Sequence, residues 1–239
     1  MTIAEQFHAP GTALLQRTPA LDRGDPEHKR SEISAYFVAV FERYESLFQT
    51  LDDERAFYEK AIPLRHPLIF YYGHTATFFV NKLVLAKLLP ERIDPRLESI
   101  FAVGVDEMSW DDLDETHYEW PSVAEVKAYR DKVRSAVLKI IAELPLALPV
   151  TWDSQWWPLI MGIEHELIHL ETSTVLIRQH RLDYLRSHPE WMPRSEHGQA
   201  PVNELIAVPA GSVELGKDAN TPYYGWDNEY GRRCVDVEE

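Results

Sequence analysis

Four stretches in which apolar residues recur every three to four positions constrain this chain more than anything else in it. The first runs roughly from Ser31 to Leu51, with Ile33, Phe37, Val40, Phe41, Tyr44 and Phe48 at helical spacing. The second begins at Pro67, a good first-turn residue, and ends before Pro90. The third spans Pro121 to about Leu144, and its stripe is Val123, Val126, Tyr129, Val133, Val137, Ile140 and Ile141. The fourth covers about Ser154 to Arg181. Shorter helical pieces are expected near Asp53–Lys60 and Pro95–Phe101. Four long amphipathic helices predict an all-α fold, a four-helix bundle over residues 31–186 preceded by an N-terminal extension, 1–30.

The pattern changes after about Arg186. Residues 187–203 carry Pro189, Pro193 and Pro201 and read as a linker. LIAVPAGSVELG (205–216) and CVDVEE (234–239) have strand-like composition. Residues 204–239 therefore read as a truncated β-rich stub, and a strand pair that short cannot bury a core alone, so the chain is expected to be a fragment of a longer protein. The connection between the second and third helices holds an acidic, Trp-containing stretch, GVDEMSWDDLDETHYEW (104–120). A solvated or domain-docking loop is expected there.

A net charge of −15 argues against nucleic acid and against anionic membrane surfaces as partners. The longest apolar stretch, Pro67 to Leu89, contains His74, Asn81, Lys82 and Lys87 and reads as a buried helix rather than a membrane span. The polar first thirty residues lack the pattern of a signal peptide. A single cysteine, Cys234, allows no internal disulfide and fits a cytoplasmic location.

Chemistry concentrates in IEHELIHLE (163–171). His165 and His169 stand one helical turn apart on one face, where two imidazoles can share a divalent ion. A third ligand is needed, and His74, mid-helix among aromatic residues, is the candidate. His66, just before Pro67, reads as a capping or surface residue. Three neutral imidazoles suit Zn, Fe or Ni, so ligand type alone does not choose the metal. Each histidine also has a plainer reading: His74 as a hydrogen-bonded core residue, and the pair as a polar helix face. HELIH further matches the HExxH pattern, in which Glu166 would be the general base of a peptidase. Against it, no downstream third ligand follows in the metzincin arrangement. Glu164 and Glu166 read as solvated or capping groups, and Gly162 leaves room for a ligand or a close neighbour. Glu171, about 120° round the helix, is placed to support the site rather than to ligate.

HPLIFYYGHTATFFVNKL (66–83), GVDEMSWDDL (104–113), WPSVAEVKAYRDKV (120–133) and MGIEHELIHLETSTVLIRQ (161–179) resemble the signatures of the ovothiol-pathway histidylcysteine sulfoxide synthases. RTPALDRGDPEHKR (17–30) resembles the start of that family, and the likeness covers almost the whole chain. The resemblance implies a DinB-like bundle. It also implies that VPAGSVELG and YGWDNEYGRR open a formylglycine-generating-enzyme-like, or C-type-lectin-like, domain.

The same resemblance implies mononuclear non-haem Fe(II) on His74, His165 and His169, with Glu171 as the non-ligating motif residue. The substrates implied are L-cysteine, L-histidine and O2, joined through a C–S bond and oxidised to a sulfoxide. Asn81 and Lys82 are candidates for a substrate carboxylate, with a packing asparagine and a snorkelling lysine as the plainer reading. Trp152, Trp156 and Trp157 are expected to pack the bundle end against the next domain. No catalytic residue is assigned: in related synthases a tyrosine comes from the second domain, and none of Tyr223, Tyr224 and Tyr230 is given that role. Without the missing C-terminal domains, metal binding with little or no turnover is expected. Alternatives are an ergothioneine-type synthase, a DinB-like thiol transferase using Zn or Ni without O2, and a docking module with a vestigial metal site.

Overall fold

The computed structural model describes residues 18–102, 119–192 and 198–238 of the chain. Most of the acidic 104–120 stretch lies outside the described residues. The long helices are α1 (Pro26–Phe48), α2 (Leu68–Leu85), α4 (Val123–Glu143) and α5 (Trp157–Ile177), with a short α3 (Pro95–Phe101) between α2 and α4. The all-α reading holds.

Local chemistry sets the helix ends. α1 starts five residues before the expected Ser31, because the Asp25 side chain accepts from the His28 N–H and Pro26 fills the first position. The N-terminal extension is shorter by that much. α4 opens on a reciprocal capping box between Ser122 and Glu125. α2 begins after Pro67 with no side-chain cap, and Lys87 at φ 59° turns the chain out of its end. α3 is capped by Asp94 and carries Pro95 in its first turn. The expected helix near Asp53 is one 3-10 turn, Glu54–Phe57.

The bundle circuit is α1–α5–α2–α4, each helix packing on the next. Its core takes Ile33, Phe37, Phe41 and Tyr44 from α1, Phe79 and Leu83 from α2, Val133 and Val137 from α4, and Ile160 and Ile163 from α5. Phe37 meets Phe79 edge-on at 5.6 Å, tying the two diagonal helices together. Among the described residues no helix is long and apolar enough to cross a membrane.

Beyond α5 the chain packs back on the bundle as far as Trp191, which lies within the expected linker. Tyr184 is buried and donates to Glu59, and Trp191 donates to Ser46 while stacking under Arg43 at 3.9 Å. The stub contributes β1 (Gly211–Leu215) and β2 (Arg233–Val237), an antiparallel pair in which Val213 faces Val235. Both strands are exposed on both faces save for Val235. The stub touches the bundle through Trp157–Tyr224 and Trp152–Tyr230 ring contacts of 4.8 and 4.9 Å. The Leu21 N–H also donates to Pro222 O at 2.6 Å. Trp156 instead sits wholly inside the bundle end and donates to Pro145 O.

Candidate metal centre

His74 projects from the middle of α2, and His165 and His169 project from successive turns of α5. The structure brings one ring nitrogen of each within 4.8 Å of the others. The Nε2 atoms of His165 and His169 are 3.2 Å apart. His74 and His169 are buried and His165 is partly so.

Two phenylalanines set the approach of the elements, each lying where a glycine has no side chain. A Cβ on Gly162 would meet the Phe79 ring at 2.3 Å, so the glycine's lack of one lets α5 lie against α2 beside the histidines. This is a close neighbour, not space for a ligand. A Cβ on Gly73 would meet the Phe101 ring at 2.4 Å, so α3 closes onto α2 there. That contact carries the Phe101 carbonyl to 2.7 Å from His74 Nδ1. A carbonyl only accepts, so Nδ1 holds the proton and the lone pair of His74 is on Nε2, the ring nitrogen that would ligate.

The surroundings keep the two α5 rings neutral. Burial, then His74, pushes His169 down to about 3. Burial first, and then the neighbouring histidines and Lys82, hold His165 well below the usual imidazole range. Phe78 stacks on His165 with centroids 3.7 Å apart and rings 8° from parallel. Phe70 stacks on His74 at 4.9 Å, and the Tyr71 ring lies 5.8 Å from His169. Two facing imidazole nitrogens at 3.2 Å need either a shared proton or a shared cation. Neighbouring ligands on one divalent ion with bonds of ~2.0–2.2 Å stand roughly 3.0–3.5 Å apart. The His165–His169 pair has that spacing, and with a His74 nitrogen within 4.8 Å and no carboxylate in the group among the described residues, the three imidazoles suit a borderline divalent ion.

Behind the histidines lies a buried polar cluster that helical periodicity did not reveal. Glu166 is fully buried rather than solvated or capping; it accepts from Arg130 Nη2 at 2.8 Å and from Thr75 at 3.3 Å. Burial pushes its carboxyl upward and Arg130 opposes that push. A carboxylate locked in a buried ion pair is not available as a general base, which removes the HExxH peptidase reading. Glu164 is also drawn inward, accepting from Tyr36 at 2.8 Å and Thr18 at 3.1 Å. The sequence did hold a signal. Glu45, Arg130 and Glu166 each interrupt an apolar stripe, Arg130 between Val126 and Val133.

Other expected residues fall outside the cluster. Glu171 is exposed, and its carboxylate has no hydrogen bond to a histidine among the described residues, so its expected supporting role has no visible contact. Asn81 Oδ1 accepts from Arg92 at 3.2 Å. Lys82 Nζ stands 5.0 Å over the Phe78 ring, on the His165 side of the site. His66 is buried, not a surface or capping residue; its ring lies 4.4 Å from Phe70 and the cap position of α2 belongs to Pro67.

A bundle with paired histidines on one inner helix and a third on its neighbour defines a class, and the comparisons agree. Residues 36–173 match the DinB superfamily, more than half of the chain, and the chain belongs to it. More particularly, it is similar to the Neurospora crassa protein named Ergothioneine biosynthesis protein 1, with 29% identity over 195 residues covering 75% of this chain. The chain spans 22% of that relative's length.

Proposed function

We propose that this chain holds Fe(II) on His74, His165 and His169 and forms the metal-binding part of an O2-using sulfoxide synthase that joins L-cysteine to the imidazole ring of L-histidine. The observation that carries the metal reading is the convergence of three imidazole nitrogens from α2 and α5 within 4.8 Å. Iron, the two amino acids and the ovothiol branch rest on the sequence resemblance. DinB membership and likeness to a protein named for ergothioneine biosynthesis support the class.

The reaction balances with O2 as the only oxidant. A cysteine S–H and an imidazole C–H are lost and a C–S bond forms. One oxygen atom ends on sulfur, and the other leaves as water with the two protons. Bound Fe(II) supplies the redox chemistry and makes the thiol acidic enough to bind as thiolate. Around it, the three histidines bind without adding negative charge. Phe70 and Phe78 brace His74 and His165 by stacking and keep water from those rings. The Phe101 carbonyl holds the proton of His74 on Nδ1. Lys82 and Asn81 are the polar groups offered to a substrate carboxylate, the Oδ1 of Asn81 already accepting from Arg92. The catalytic partners are expected from the C-terminal domains of a longer chain, and the cytoplasm is the expected location.

The relative's name favours a second reading, an ergothioneine-type synthase acting on trimethylated histidine. Anaerobic Fe(II) loading followed by metal analysis should find one ion per chain, lost in His74→Ala. Oxygen uptake with cysteine plus histidine, or plus trimethylhistidine, then separates the two branches by product mass and regiochemistry. Turnover by this chain alone is expected to be low. Absence of bound metal would sink the proposal, and thiol transfer without O2 would replace it with a transferase.

A further inference from the structure

We propose that Arg130 is a positioning residue for the metal centre, fixing the spacing of α2 and α5 at which their histidines can share one ion. The proposal rests on the metal reading above. Arg130 is fully buried, and its guanidinium lies where all four long helices meet. Reaching out from α4, it donates through Nε to Glu45 of α1. Nη1 donates to Tyr72 O and Thr75 Oγ1 of α2, each at 2.8 Å, and Nη2 to Glu166 of α5 at 2.8 Å. The rings of Phe41, Tyr44 and Tyr72 enclose the cation at 4.5–5.1 Å.

These contacts bracket the ligands. Tyr72 and Thr75 lie on either side of His74, and Glu166 directly follows His165. Thr75 also donates to the same Glu166 oxygen that Arg130 binds, at 3.3 Å, so α2 and α5 are joined directly as well as through the guanidinium. His165 and His169 share one helix, so their separation is set by that helix alone. Whether His74 reaches them depends on how far apart α2 and α5 stand. Phe79 against Gly162 limits that distance from one side, and the arginine clamp fixes it from the other. Stability does not require such a cluster, since well-packed apolar residues in place of a buried ion pair are often as stable or more so. A planar fork of fixed hydrogen-bond directions supplies instead a defined geometry, which an aliphatic side chain does not.

The test is Co(II) titration of the metal-free 239-residue chain, following the visible absorption of the bound ion, beside urea unfolding of each variant. Arg130→Met should lose about tenfold or more in Co(II) affinity and change the shape of the absorption bands, while remaining folded. Arg130→Lys, which keeps the charge and loses the fork, should recover part of the affinity. Thr75→Val should move affinity and spectrum in the same direction by less. Val137→Ala, in α4 two turns from the clamp, should lower the urea midpoint and leave Co(II) affinity and spectrum unchanged. If Arg130→Met fails to fold, Arg130→Lys and Thr75→Val carry the test. Native affinity and spectrum in the foldable clamp variants would overturn the proposal while leaving the metal reading intact. Equal loss of Co(II) affinity in Val137→Ala would overturn it too. A wild-type chain that takes up no Co(II) would end both.

Discussion

The bundle interior around the histidines and the β1–β2 pair use the same kinds of residues to opposite effect. Inside the bundle, charge is buried and bonded. Arg130 and Glu166 pair at 2.8 Å, and Glu98 is fully buried, accepting from Arg92 and from the backbone N–H groups of Ile93 and Asp94. In the strand pair, apolar groups are exposed: Val213 at 46%, Leu215 at 53% and Val237 at 40%. Buried polar groups without partners are costly, so a charge deep in the bundle is kept where an opposite charge or backbone donors meet it, as Arg130 meets Glu166 Oε1, while Glu166 Oε2 accepts no hydrogen bond among the described residues. The strand pair has its ladder but, among the described residues, no core to cover it. Stability and ligand geometry should therefore respond to changes in the first region and hardly at all in the second.

The largest response is expected at Phe101. Its ring is fully buried against Gly73, and its carbonyl orients His74. Phe101→Ala should cost about 3–5 kcal/mol in urea unfolding, as other large aromatic truncations do. It should also weaken metal binding. A loss below about 1 kcal/mol would mean that this part of the bundle is far looser than its packing.

Acid should act next. Folded His169 titrates at about 3, against an ordinary value of 6.5. Above pH 6.5 the ring is neutral both folded and unfolded. Below it the unfolded chain takes up a proton that the folded chain refuses until about pH 3. The metal-free protein should therefore lose stability progressively as pH falls from about 6.5 toward 3, by a few kcal/mol in order of magnitude. His165→Ala/His169→Ala should flatten that part of the urea-midpoint profile. An unchanged slope would place the acid sensitivity elsewhere.

How much of this was legible in sequence follows the same division. Helical period located the four bundle helices, because each hides a stripe of apolar residues, and the His165–His169 spacing put two donors on one face without any knowledge of the fold. Convergence of His74 with them depends on two helices meeting, which spacing within one helix cannot settle. Glu166 reads as solvated in sequence because a carboxylate is normally on the surface. Its burial depends on Arg130, 36 residues earlier, and only the tertiary arrangement shows that the two meet. His66 differs from expectation for a related reason: the residue before a helix is usually exposed, but here Phe70 and Trp120 close over its ring. Gly162 reads in sequence as room for a ligand or a close neighbour, and the structure supplies the neighbour, Phe79.

That glycine gives a smaller and more selective prediction. Adding a methyl group at Gly162 brings it to 2.3 Å from a ring carbon of Phe79, and neither α2 nor α5 has room to yield without moving. Gly162→Ala should cost about 1–3 kcal/mol by overpacking, offset in part by the better helix propensity of alanine. Because the displaced helices carry the histidines, metal affinity should fall more than the stability loss suggests. A double variant with Phe79→Leu, which removes the clash, should regain affinity. A stable Gly162→Ala protein with native metal affinity would show that the two helices are not held as closely as described.

The smallest response is expected at Leu215, and it tests the other half of the comparison. Leu215 pairs with Arg233 at the end of the ladder and is 53% exposed. Little apolar area leaves water on folding at that site, so little is lost when the side chain is shortened. Leu215→Ser should move the urea midpoint by less than about 0.5 kcal/mol equivalent. Backbone amides of β1 and β2 should exchange with deuterium well before those of α2 and α5, since strands held only by their own ladder open without unfolding the bundle. A loss of 2 kcal/mol or more, or strand amides protected as long as those of α5, would show that the pair unfolds as one unit with the bundle. The contacts of Tyr224 with Trp157 and of Tyr230 with Trp152 would then be the seam through which the two regions share their stability.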